Sequence, residues 1–275
     1  MLNTVYRLVE PRRIESEFSN IDVNGDSVLV RPTHLSICNA DQRYFQGTRP
    51  PEVLKKKLPM ALIHEAIGEV IYDPAGDFES GQKVVMVPNT PMEEDDIVAE
   101  NYLRSSKFRA SGFDGFMQDI VAMRRDRVVA VPDGIDDYVA AFTELVSVSY
   151  HAIDRFDRKA HGRRNVLGVW GDGNLAFITS LLLKKRFPES KVYIFGKHEY
   201  KMDDFVFADE TYFIDAIPED LRIDHGFECV GKAGSGTSIN QIIDYINPEG
   251  CIAALGVSED PVPINTRMIL EKGLT

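Results

Sequence analysis

A short glycine-rich turn near the middle of the chain leaves few folds open. Val166-Leu167-Gly168-Val169-Trp170 is an uninterrupted apolar run, and Gly171-Asp172-Gly173-Asn174-Leu175-Ala176 follows it directly. Residues 175–187 then carry a helical pattern. A buried strand, a tight turn and a helix form the context in which G-x-G-x-x-G/A cradles a dinucleotide. Gly171 permits the turn, Gly173 lets the backbone approach a pyrophosphate, and Ala176 allows close helix–strand packing. Backbone N–H groups at the helix start, around Asn174 and Leu175, face the phosphates.

The runs 191–195, 211–214, 224–228 and 251–255 are further apolar strands, with helical patterns such as 238–246 between some of them. This alternation predicts a parallel sheet covered by helices. The second strand ends Gly196-Lys197-His198, where NAD-binding chains place an acid for the ribose hydroxyls. A glycine leaves room there and Lys197 adds positive charge, which favours NADP(H). A solvated loop lysine is the plainer alternative.

The first half has a different rhythm. Strands are expected at 28–31 (after the turn Asn24-Gly25-Asp26), 67–72, 83–87, 116–122 and 127–131. Pro132-Asp133-Gly134 closes this half, and a helix is expected over 136–156 from Val139, Phe142, Val146 and Tyr150. At 275 residues the chain predicts two domains. The net charge of −12, from 31 basic and 43 acidic residues, argues against a nucleic-acid partner. Cys38, Cys229 and Cys251 are too few and scattered for a disulfide framework, which points to a reducing cytoplasm. No apolar run is long enough to span a bilayer, so no membrane association is expected.

Cys38, His64 and Glu65 fall near predicted strand ends, and Glu144 lies in the helix leading into the second half. Singly, each has an ordinary explanation: a small buried hydrophobe, a hydrogen-bonded imidazole, surface charges. Together they offer a thiolate, an imidazole and carboxylates, a set that suits zinc. No C-x-x-C spacing assembles them, and on chemistry alone both readings stand.

A resemblance decides between them. Residues 36–44 (SICNADQRY) resemble the zinc-cysteine segment of the medium-chain dehydrogenase/reductase superfamily, commonly G-I-C-G-S-D-x-H-Y in its polyol branch. Residues 59–70 (PMALIHEAIGEV) resemble its G-H-E-x-x-G-x-V block, and 78–84 (FESGQKV) its F-x-x-G-D-x-V turn. Residues 143–148 (TELVSV) resemble the E-P-L-S-V helix of sorbitol-type dehydrogenases, and 227–231 (FECVG) resemble F-E-x-x-G. Stretches 58–70, 84–91, 99–106, 111–119, 168–175 and 265–275 are similar, more narrowly, to ribulose-5-phosphate reductases that make ribitol 5-phosphate for teichoic acid or capsule precursors.

The resemblance implies an α/β protein: a GroES-like β catalytic domain over 1–147 and a Rossmann NADP-binding domain over 148–275. It implies NADPH-dependent reduction of a ketose phosphate at one catalytic zinc held by Cys38, His64 and one or both of Glu65 and Glu144. Asp41 would orient the His64 ring. NADPH would lie over 171–176, with its 2′-phosphate near Lys197 and His198. The stretch 88–112 contains no cysteine, which argues against the four-cysteine structural zinc lobe of many relatives.

Two departures stand near the chemistry. Ala40 and Arg43 occupy positions where many relatives carry the hydroxyl and imidazole of a proton relay. Arg43 and the adjacent Tyr44, near Arg49, Lys55, Lys56 and Lys57, are instead candidates for the substrate phosphate. The family also continues past the position of Thr275 into a last Rossmann strand through which full-length members dimerise, which puts dimerisation of this chain in question. A cytidylyltransferase partner is implied by the resemblance alone. The competing readings are a sorbitol- or xylitol-type dehydrogenase of an unphosphorylated sugar, and a truncated, non-catalytic NADP-binding protein.

Overall fold

The computed structural model describes every residue except Asn24, so the predicted turn at 24–26 lies partly outside the described residues. The chain divides into two compact units, Met1–Glu144 and Leu145–Thr275.

The first unit opens with a hairpin, β1 (Leu2–Glu10) and β2 (Arg13–Asn20), then β3 (Val28–Ser36), α1 (Asn39–Gln46) and α2 (Pro51–Lys57). β4 (Met60–Ala61), β5 (Glu65–Tyr72), β6 (Lys83–Met86), β7 (Asn89–Thr90), β8 (Lys107–Phe108), β9 (Val121–Met123) and β10 (Val128–Ala130) follow, then α3 (Asp137–Ala140); α4 (Thr143–Lys159) begins at the end of this unit and continues in the second. An antiparallel sheet in the order β10-β6-β5-β3-β9 carries the site, beside a small sheet β2-β1-β4 and the ribbon β7-β8. Val28, Val30, Ala66, Val70, Val84, Met86, Phe116 and Val121 fill its interior. All but Phe116, which a loop supplies, come from alternate positions of their strands, the pattern of a sheet buried on one face.

Three expectations need correction. The helix over 136–156 is two helices, since Asp136 caps α3 through Tyr138 N–H and Val139 N–H and α4 starts afresh at Thr143. The strand over 116–122 shrinks to Val121–Met123. Its first residues pair with a loop instead: Gly115, Phe116 and Met117 N–H donate to the carbonyls of Ala61, Ile63 and Leu62. The opening hairpin, long but mostly exposed, lies outside the expected strands.

The second unit contains β11 (Val166–Trp170), α5 (Asn174–Arg186), β12 (Lys191–Gly196), α6 (Glu199–Met202), β13 (Glu210–Phe213), β14 (His225–Glu228), α7 (Gly234–Tyr245), β15 (Ile252–Ala254) and α8 (Thr266–Lys272). All five strands are parallel, in the order β13-β12-β11-β14-β15. This is the Rossmann arrangement, with α5 following the glycine turn as expected. Leu167, Val169, Val192 and Ile194 pack on one face; Trp170 and Phe195 pack on the other, their rings stacked at 3.8 Å. Both faces are covered, which is why these strands read as continuous apolar runs. Beyond β15, Ile252 N–H donates to the Thr275 carbonyl, and Thr275 N–H to that of Gly250. No helix among the described residues is long and apolar enough to cross a membrane.

Candidate active site

The antiparallel register of β3 and β5 sets Ser36 opposite Glu65. Cys38, just past the end of one strand, therefore meets His64, just before the start of the other. Cys38 occupies the N-cap of α1, and its own N–H donates to Asp41 Oδ2 at 3.1 Å. The other Asp41 oxygen accepts from Ile63 N–H at 3.0 Å and lies 3.4 Å from His64 Nδ1. One buried carboxylate thus braces both segments. Ile63 has φ of 71°, an unusual conformation for a β-branched residue. Its carbonyl is held by Phe116 N–H, and a Cβ at Gly115 would collide with the Ile63 and Leu62 carbonyl oxygens. The strain turns His64 toward Cys38 and is held by its surroundings.

Donor atoms of Cys38, His64 and Glu65 all lie within 4.8 Å of one another. Glu65 is 1% exposed, and neither of its carboxylate oxygens has a hydrogen-bond partner. Burial raises the Glu65 carboxyl above its ordinary range. Burial also pushes Glu144 up to about 7; His64 opposes this, while the charges of Glu65 and Asp41 add to it. Burial works against a charged His64, yet bonds to Asp41 and Cys38 push it up to about 11. Glu65 Oε1 lies 3.9 Å from His64 Nε2, beyond hydrogen-bond range, and a divalent cation would satisfy this buried carboxylate among its acidic neighbours. The sulfur, nitrogen and oxygen donors fit zinc. Glu144 stands outside the tight trio but within its electrostatic reach. The Phe108 ring lies 5.4 Å from that of His64.

The phosphate candidates sit on and after α1. Arg43 lies on this helix, partly exposed. Tyr44, expected to touch the phosphate, is 2% exposed and packs with Leu8, Met60, Leu62 and Ile63. Its apolar ring belongs to the core; Arg49 covers it at 4.6 Å and the Lys57 ammonium stands at 5.8 Å. Lys57 Nζ also donates to Ser111 Oγ at 2.7 Å.

In the second unit a pocket opens at the carboxyl ends of the strands, where open parallel sheets bind their ligands. Gly171, Asp172, Gly196, Lys197, His198 and Val230 are among its lining residues. Gly171 adopts φ of 131°, and a Cβ there would crowd Ala176 Cβ at 3.2 Å. Gly173 caps α5 in open space, leaving the first helical N–H groups accessible. Gly196 differs from its sequence reading: a Cβ would meet Met202 Sδ at 2.6 Å and Asp172 Cβ at 3.1 Å. The room it leaves is already filled by protein. Sequence reasoning missed Met202 and the bonds from Asp172 to the turn after β12.

A metal-type cluster in a curled antiparallel unit, followed by a Rossmann unit, defines a zinc-type dehydrogenase. Residues 24–133 match the alcohol dehydrogenase GroES-like domain. The chain is 60% identical to the ribulose-5-phosphate reductase of Bacillus spizizenii, with all of this chain and 81% of that protein aligned. It is 58% identical to ribulose-5-phosphate reductase 1 of Staphylococcus aureus, over the same shares. The crystal structure of S. aureus TarJ in complex with NADPH superposes with a TM-score of 0.88 at 53% identity, covering 100% of this chain and 79% of that one. The chain belongs to the medium-chain dehydrogenase/reductase superfamily, within its group of ribulose-5-phosphate reductases.

Proposed function

We propose that this chain reduces D-ribulose 5-phosphate to D-ribitol 5-phosphate with NADPH. The observation that carries the reading is the Cys38–His64–Glu65 cluster, whose buried carboxylate has no hydrogen bond, in a chain 60% identical to a ribulose-5-phosphate reductase. When bound, zinc supplies Lewis-acid polarisation of the ketose carbonyl and NADPH supplies the hydride. Cys38, His64 and Glu65 would hold the metal, with Glu144 as a further carboxylate close by. Asp41 fixes the His64 ring and the Cys38 backbone. The catalytic part is assigned to 1–147 and the nucleotide part to 148–275, where Gly171, Gly173, Asn174, Leu175, Lys197 and His198 meet the coenzyme and Asp172, of the same turn, lines the pocket behind them.

Arg43 is assigned to the substrate phosphate, with the cationic group around the buried Tyr44 ring supporting it. A guanidinium fork matches phosphate oxygens, and the local charge opposes the acidic balance of the whole chain. The resemblance further supports a cytoplasmic role feeding CDP-ribitol synthesis, with a cytidylyltransferase taking the product.

The test is NADPH oxidation by the zinc-loaded chain with ribulose 5-phosphate beside unphosphorylated ribulose. Turnover confined to the phosphate ester is expected. Equal turnover of both overturns the substrate assignment, and NADPH binding without turnover of either overturns the enzyme reading. Arg43→Ala should raise KM for the phosphate ester about tenfold or more, with KM for NADPH little changed; equal effects on both refute the Arg43 assignment.

A further inference from the structure

The glycine turn of this chain contains an acid, Asp172, whose use the dinucleotide motif does not explain. Its Oδ2 accepts from Lys197 N–H at 2.8 Å, from His198 N–H at 2.9 Å and from His198 Nδ1 at 2.8 Å. The other oxygen, Oδ1, lies 3.9 Å from Lys201 Nζ. Partial burial opposes the charged form, yet the two backbone donors and the His198 ring hold the carboxyl below its ordinary range.

These bonds join two strand ends. Asp172 follows β11, while Lys197 and His198 follow β12, and all three line the same pocket. The backbone that positions Lys197 and His198 is therefore tied to the first glycine turn. Because Nδ1 is turned toward Asp172, the Nε2 side of the half-exposed His198 ring faces away from it. Gly196 completes the arrangement, since only a residue without Cβ lets Asp172 and Met202 pack there.

A carboxylate beside the adenosine ribose ordinarily accepts from the 2′-hydroxyl and selects against a 2′-phosphate. Here Oδ2 accepts three protein donors and Oδ1 lies nearest Lys201 Nζ, so the carboxylate is engaged by the protein. We propose that Asp172 is a positioning residue for coenzyme choice: it fixes the Lys197–His198 turn so that both side chains meet the 2′-phosphate of a phosphorylated nicotinamide dinucleotide. The proposal rests on the reading that this chain uses NADPH.

The experiment is a fluorescence titration of the zinc-loaded full chain with NADPH and with NADH, for wild type, Asp172→Ala and Asp172→Asn. Wild type is measured first; equal affinities there overturn the coenzyme reading, and this proposal with it, before any substitution is made. Asp172→Ala should weaken NADPH at least about tenfold, the scale of losing charge-assisted bonds, with NADH changed less than about twofold. Asp172→Asn keeps an amide carbonyl for the backbone donors and should give a smaller loss in the same direction. Retained NADH binding shows that each variant is folded. A purely structural residue would weaken both coenzymes alike, and a carboxylate that repels the 2′-phosphate would strengthen NADPH on removal. Either result, or unchanged binding in both variants, overturns the proposal.

Discussion

His225 makes the second unit sensitive to mild acid. Its ring is completely buried at the start of β14. Nε2 lies 3.0 Å from the Arg163 carbonyl, and Nδ1 accepts from Cys251 N–H at 3.0 Å. This pattern requires the neutral ring with its proton on Nε2, because a proton on Nδ1 would face a backbone N–H. Burial lowers the imidazole to about 4, aided by His161, whose ring lies 4.4 Å away, and by Arg164, against the pull of Asp224. Between the ordinary histidine value near 6.5 and about 4, the unfolded chain binds a proton that the folded chain refuses, so stability falls as pH falls through this window. At 1.36 kcal/mol per unit the full effect is about 3 kcal/mol; screening through the partly exposed His161 side reduces the expectation to about 2 kcal/mol.

The assay is urea unfolding from pH 7 to 4.5, followed by the single tryptophan, Trp170, which is buried in the same unit. His225→Asn keeps an amide oxygen for Cys251 N–H but does not titrate. It should be less stable at pH 7 through lost ring packing on Phe156, 4.9 Å away. Its stability should nevertheless lack the part of the decline that His225 contributes in wild type, while every other titrating group is common to both proteins. The difference between the two proteins must therefore narrow by about 2 kcal/mol as pH falls. A constant difference would refute the argument.

Three further outcomes are expected. Gly196→Asp, which restores the acid typical of NAD-binding chains, should cost NADPH at least about tenfold in affinity through collision with Met202 and Asp172; a gain in NADH affinity on titration would contradict the tight packing of these two side chains on Gly196. Asp41→Asn should weaken zinc binding by roughly 10–100-fold in chelator competition, the usual effect of removing a group that orients a ligating histidine, and unchanged affinity would remove Asp41 from that role. Gly68→Ala should destabilise the first unit by about 2–3 kcal/mol in denaturant melts. Its Cβ would press on the Arg31 carbonyl and lie 2.6 Å from Val30 Cγ1; a neutral result would show that β3 yields there.

The Rossmann half is readable from its residues because strands covered on both faces are written as unbroken apolar runs, and Gly171 marks where the first one turns. The metal trio is not readable from spacing. Cys38 and His64 become neighbours only through the β3–β5 register, a long-range pairing that local pattern does not encode, and resemblance supplies what periodicity lacks. The break between α3 and α4 is hidden because Phe142 continues the apolar repeat across it. The pairing of 115–117 with 61–63 looks like a strand because edge and loop backbones share the same apolar alternation. At Gly196 the residue is identifiable but its cause is not, since the space belongs to Met202, a side chain several residues further on.

Because a single carboxylate, Asp41, grips the Cys38 and His64 segments together, the ordering entropy of the cage is settled when the first unit folds. Small domains that zinc itself folds must meet that cost at the moment of capture. The Asp41 brace would hold the seat together without the ion, so demetallation should leave the sheet upright and reloading should be a local event, with the metal a tenant of this fold and not its keystone.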